Sequence, residues 1–176
     1  MENTFQQGQA DSLCGLYALL HFLDRNDNWR AARYREKDDQ YTTMWYLLDA
    51  CQRFGWLTPH TITGGFCDYQ LKAIFDTQIQ DARLPLKSIY LDDLRQHLSL
   101  KNNTNVVDWI MRNDGYAIVY LDCNRDHWIL LEPVNAEPLV VDSYKSYPSK
   151  MRDWREHFGG VGFGVLPSKR PLIELG

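Results

Sequence analysis

Cys14, His127 and Asp142 are the residues of this 176-residue chain whose types and placement could carry acyl-transfer chemistry. A thiol attacks an acyl carbon well only as thiolate, and the first turn of a helix favours negative charge because unpaired backbone N–H groups and the macrodipole point there. Residues 13–23 read as a buried helix, with Leu16, Leu19, Leu20 and Leu23 at helical spacing and Asp11-Ser12 offering capping side chains ahead of it. Cys14 then falls in the first turn. The same N–H groups can donate to the oxyanion of acyl transfer, and Gly15 is expected to let substrate approach the backbone closely.

His127 opens an apolar, β-branched run and Asp142 closes the next, so antiparallel pairing of the two strands would bring them together at one sheet edge. A carboxylate on one imidazole nitrogen fixes the tautomer and leaves the other nitrogen for the thiol. Asp126 and Asp122 are closer in sequence but fall in or beside the turn, and rank behind Asp142. Gln9, five residues before Cys14, could add a neutral side-chain donor to the oxyanion, with Gln7 and Gln6 as rivals. Each residue also has a bland reading: a small core cysteine, a satisfied strand histidine, a turn aspartate before Ser143-Tyr144, a solvated glutamine-rich start. The coincidence of all of them on suitable element ends favours the chemistry.

Around these residues, 24–40 is charged and irregular. Helices are expected over 43–54, ended by Gly55, over 68–76 after the Gly64-Gly65 break, over 91–98, and over 106–112 before Asn113-Asp114-Gly115. Strands follow over 116–121, 127–131 and 138–142, then a helix at 151–157 and a strand at 163–166. The layout is α+β, a helical N-terminal half bearing the nucleophile packed on an antiparallel sheet. No repeat or linker divides it, so 1–176 reads as a single domain.

A net charge of -4 argues against a nucleic-acid partner and makes a basic partner surface easier to accommodate. Basic residues at 30, 33, 35 and 37, and at 145, 150, 152 and 155, are interspersed with acids and read as solvated faces. No apolar run is long enough for a bilayer and the polar start lacks a signal peptide's core, so no membrane association is expected, and a cytoplasmic setting or, for an effector, delivery into a target cell's cytosol. Cysteines 14, 51, 67 and 123 form no C-x-x-C pair, which reads as reduced thiols, and neither a zinc site nor any other metal or cofactor is called for.

Gln9, the segment Asp11-Ser-Leu-Cys14-Gly15, His127-Trp128 and Asp142 together resemble the papain-like cysteine peptidase superfamily, in which Gln, Cys, His and Asn or Asp come in this order. Within it the chain is most similar to Josephin-type deubiquitinases, through Gln9-Ala-Asp-Ser-Leu-Cys14, the His-Trp pair, the His-to-Asp spacing and a faint likeness at Gly65-Phe66 and Gln70-Leu71. It departs from them in Asp142, where Asn is usual, and in Gly-Leu-Tyr after the cysteine, which is closer to SUMO proteases and bacteriocin-exporter peptidases. Apart from that faint likeness residues 24–110 are essentially unassigned, and substrate recognition would lie there. The resemblance implies a peptidase or isopeptidase working through a thioester, with ubiquitin or a ubiquitin-like protein as substrate and a narrow groove for its glycine-rich tail. The same residues would serve a protein glutamine deamidase. A third reading is a catalytically idle binding module using aromatic residues such as Trp29, Trp45, Trp56, Trp109 and Trp154.

Overall fold

The fold is that of a computed structural model, which describes residues 13–33, 40–122, 127–142 and 154–168. Five helices come first: α1 (Cys14–Asp24), α2 (Asp27–Arg33), α3 (Gln40–Arg53), α4 (Pro59–Gly64) and α5 (Asp68–Asp81). Then come β1 (Leu86–Tyr90), α6 (Leu91–His97), α7 (Asn103–Arg112), β2 (Tyr116–Leu121), β3 (His127–Val134), β4 (Glu137–Val141), α8 (Trp154–His157) and β5 (Phe158–Pro167). The strands form one antiparallel sheet in the order β1-β5-β2-β3-β4. The α+β class expected of the sequence is therefore what the chain adopts.

Both faces of this sheet are covered. Ile118, Trp128, Leu130, Val141 and Phe163 join α1, α3 and α5 in one core, while Ala117, Val119, Ile129, Leu131 and Leu166 meet α6, α7 and Trp154 of α8 in another. Successive residues of β2 and β3 thus point into opposite cores. That is why these strands read as continuous apolar runs, a pattern more usual for parallel sheets buried on both sides.

Helix α1 is buried nearly all round, as its four leucines require, and it packs on β3 and α3. Arg25, just past its end, bridges to Glu132 of β3 at 2.7 Å. The 11 residues of α1 rise ~16 Å. Between His127 and Glu132 the strand advances about the same ~16 Å. Helix and strand therefore run alongside one another, with Cys14 level with His127 where Arg25 is level with Glu132.

Several elements differ from expectation. Helix α2 occupies part of the stretch read as irregular: Asn26 Oδ1 accepts from Trp29 N at 2.9 Å and the fully buried Trp29 anchors the short helix. Helix α4 follows a capping box between Thr58 and Thr61 with Pro59 at its first position. Strand β1 lies at the sheet edge with every residue half-buried, so it has no alternation to read. Strand β5 begins five residues earlier than the expected 163, carrying Gly159, Gly160 and Gly162 into the sheet.

Gly15 does not face substrate: a Cβ there would lie 2.6 and 2.7 Å from the two methyl carbons of the buried Leu71. Its bareness lets α1 approach α5. Gly162 is more constrained, since a Cβ would stand 2.3 Å from the Ile118 carbonyl oxygen and 3.0 Å from Val119 Cα, both backbone atoms of β2. Gly162→Ala should therefore lower stability by about 3 kcal/mol or prevent folding. The change in urea midpoint measures this, with Gly160→Ala, where nothing lies within 4 Å, as the milder comparison.

Candidate active site

Cys14 is the first residue of α1, and the preceding Leu13 has no side-chain acceptor with which to cap the helix. The first helical hydrogen bond runs from Tyr17 N to Leu13 O at 3.0 Å, so the amides of residues 14–16 have no acceptor within the helix. The expected cap residues Asp11 and Ser12, the oxyanion candidates Gln9, Gln7 and Gln6, and the alternative orienter Asp126 lie outside the described residues.

His127 is the first residue of β3 and pairs with Leu121, while Asp142 directly follows Val141, which pairs with Leu130. This register brings the two side chains together: His127 Nε2 lies 2.5 Å from Asp142 Oδ1, with both side chains nearly excluded from solvent. Nδ1 is left for the thiol, and Cys14 lies close enough to the imidazole to favour its protonated form. The three residues singled out in the sequence meet as one Cys-His-Asp relay. Asp122 is used differently, its backbone N–H donating to the His157 carbonyl at 2.8 Å.

Burial works against charge on His127, but the hydrogen bond and charge of Asp142, together with the influence of neighbouring Cys14, outweigh it, raising the imidazole to about 9. It holds its proton at neutral pH. His21, two turns beyond Cys14 on α1, behaves oppositely: burial and the Arg25 charge push it down to about 4 against the pull of Asp142. The Asp142 carboxylate therefore lies among two imidazoles of different charge, one cationic and one neutral.

Among the other thiols, Cys51 is fully buried and pushed up to about 12 by that burial, whereas Cys67 is exposed. Cys14 is buried too, 6% exposed, but beside an imidazolium.

The site is buttressed by α5 and the turn before it, a stretch for which the sequence predicts a helix but no part in the site. The indole of Trp128, next to His127, donates to the Phe66 carbonyl at 3.0 Å, and Gly15, next to Cys14, abuts Leu71. One short segment, residues 66–71, thus braces both α1 beside Cys14 and β3 beside His127. The Trp beside His127 was the available signal, but its acceptor is a backbone carbonyl that no residue type announces. Among the described residues no group of His, Cys, Asp and Glu is placed to hold a metal ion. No helix in the described residues is long and apolar enough to cross a membrane. Comparison with protein-family models, with curated proteins and with solved structures found no match to this chain.

The His127 proton is held more tightly in the folded chain than at the ordinary 6.5, so its contribution to stability is complete below about 6.5 and is lost as pH rises through about 9. An NMR titration of the imidazole should show a midpoint near 9, falling in Asp142→Asn and in Cys14→Ala. The urea midpoint should drop between these pH values more steeply in the parent protein than in Asp142→Asn. A His127 titration unmoved by both substitutions would mean the relay does not operate.

Proposed function

We propose that the chain is a papain-like cysteine hydrolase, a peptidase or isopeptidase acting on a protein substrate. The single observation that carries this reading is the contact of Cys14, at the start of a buried helix, with an imidazole whose other nitrogen is held by a carboxylate. In the proposed cycle Cys14 Sγ, as thiolate, attacks the scissile carbonyl carbon while first-turn amides of α1 donate to the developing oxyanion. The tetrahedral adduct collapses as its C–N bond breaks and His127 gives its proton to the departing amine, leaving a thioester on Cys14. Water then attacks the thioester and yields its proton to His127, and the carboxylate product leaves as the thiolate–imidazolium pair is restored.

The burial of Cys14 and His127 favours a narrow, extended acyl group over a bulky one, and the resemblance noted in the sequence favours the glycine-rich tail of ubiquitin or a ubiquitin-like protein. A ubiquitin-derived thiol-reactive probe tests both ideas. Peptide mapping by mass spectrometry should find the probe on Cys14 only, while iodoacetamide labels Cys14 and the exposed Cys67 and spares Cys51. Cys14→Ala should abolish turnover of the probe's hydrolysable counterpart, His127→Ala should lower it by about 10²–10⁴-fold, and Asp142→Ala by less. Labelling of Cys14 by iodoacetamide alone would move the substrate elsewhere, and ammonia release from an intact target protein would select the deamidase. An inert Cys14 would end the enzyme reading.

A further inference from the structure

Between the end of α3 and the start of α5 the surface carries large aromatic side chains that the fold leaves in solvent. Phe54 stacks on Trp56 with ring centroids 4.5 Å apart, and Trp56 meets Tyr69 edge to face at 5.9 Å. Phe54 is 43% and Tyr69 56% exposed, so the file is a face rather than a core. Asp68, next to Tyr69 in the chain, lines an open pocket of about 280 Å³ together with Tyr90, Asp92, Asp93 and residues 160–162.

The position of this surface matters as much as its composition. Tyr69 and Asp68 lie in the first turn of α5, within the segment that braces both Gly15 and Trp128, so aromatic face and acidic pocket flank the same helix end that supports the relay. The described basic side chains nearby are committed: Lys72 to Asp76 at 2.8 Å, with its ammonium also 5.2 Å from the centroid of the Tyr90 ring, and Arg95 to Asp92 at 3.3 Å. Asp92 is itself bound by Arg95 and by Asn103 Nδ2 at 3.1 Å, which leaves Asp68 and Asp93 as the further carboxylates of the pocket.

We infer that this surface docks the protein substrate, and that the docked segment presents an aromatic or large aliphatic side chain next to lysine or arginine. The apolar side chain would lie on the Phe54-Trp56-Tyr69 file, where rigid rings offer contact area at small entropic cost. The basic side chain would enter the pocket with its charge against the Asp68 and Asp93 carboxylates. The inference rests on the reading of Cys14 as nucleophile for its meaning, although the docking itself requires no turnover.

A library of random dodecapeptides displayed on phage, selected on the full chain bearing Cys14→Ala, tests it. Enriched peptides should pair an aromatic or aliphatic residue with a nearby Lys or Arg. Their affinity should fall about tenfold or more in Tyr69→Ala and in the double variant Asp68→Asn, Asp93→Asn, with urea midpoints confirming that both variants fold. Failure to enrich, enrichment of acidic or uncharged peptides, or equal affinity for the variants would overturn the proposal. So would a dimer in sedimentation that Tyr69→Ala dissociates, since the face would then be covered by a second copy. Because binding is read on a protein without the thiol, peptides that bind but are never cleaved by the parent chain would count against the hydrolase reading and leave the docking surface standing.

Discussion

The alignment of α1 along β3 is the constraint on which the rest of the molecule depends. A helix with leucines on successive turns must bury itself, and the double-sided sheet offers one face for it, with Trp128 and Leu130 of β3 in the shared core. What fixes the axial position is polar: the Arg25–Glu132 bridge at one end and the Cys14–His127 contact at the other. Because rise per residue differs between helix and strand, these two contacts can coincide only at a particular slide of one element against the other. A slip of one helical turn, ~5 Å, would separate thiol and imidazole beyond hydrogen-bond reach.

Given that alignment, electrostatics sort chemically similar side chains into different states. His127 and His21 are both buried, yet one is raised to about 9 and the other lowered to about 4. The difference lies in their nearest charges. His127 touches a carboxylate and a thiol, whereas His21 has the Arg25 cation added to the cost of desolvation and Asp142 only as a smaller, opposing influence. Of the two buried cysteines, Cys51 has no partner cation and is pushed up to about 12, whereas Cys14 lies beside an imidazolium.

Much of this was legible before any coordinates. The buried helix with Cys14 in its first turn, the strands opening at His127 and closing at Asp142, and their antiparallel pairing follow from leucine spacing and β-branched runs, which are local signals. The elements missed depend on non-local ones. Edge strand β1 has no buried alternation, α2 is held by one buried tryptophan, and the glycines of β5 suggest a loop until β2 is placed against them. Gly15 shows the limit most clearly. A glycine beside a nucleophile suggests room for substrate, and only the position of Leu71, far along the chain, reveals that the room is filled by α5.

Residues 66–71 then acquire a role that their sequence does not advertise. Phe66 is buried and its carbonyl takes the Trp128 indole, Leu71 fills the notch left by Gly15, and Gln70 closes a capping box with Cys67 that fixes where α5 starts. Trp128 is held on one edge and Gly15 on another, so this corner cannot move relative to only one half of the relay without losing a buried hydrogen bond or opening a cavity. Either loss costs on the order of 1–3 kcal/mol. The same corner carries Asp68 and Tyr69 outward into solvent. Contacts made on that outer side therefore bear on a rigid element rather than a loose loop, and any displacement they impose on the start of α5 reaches the thiol and the imidazole together.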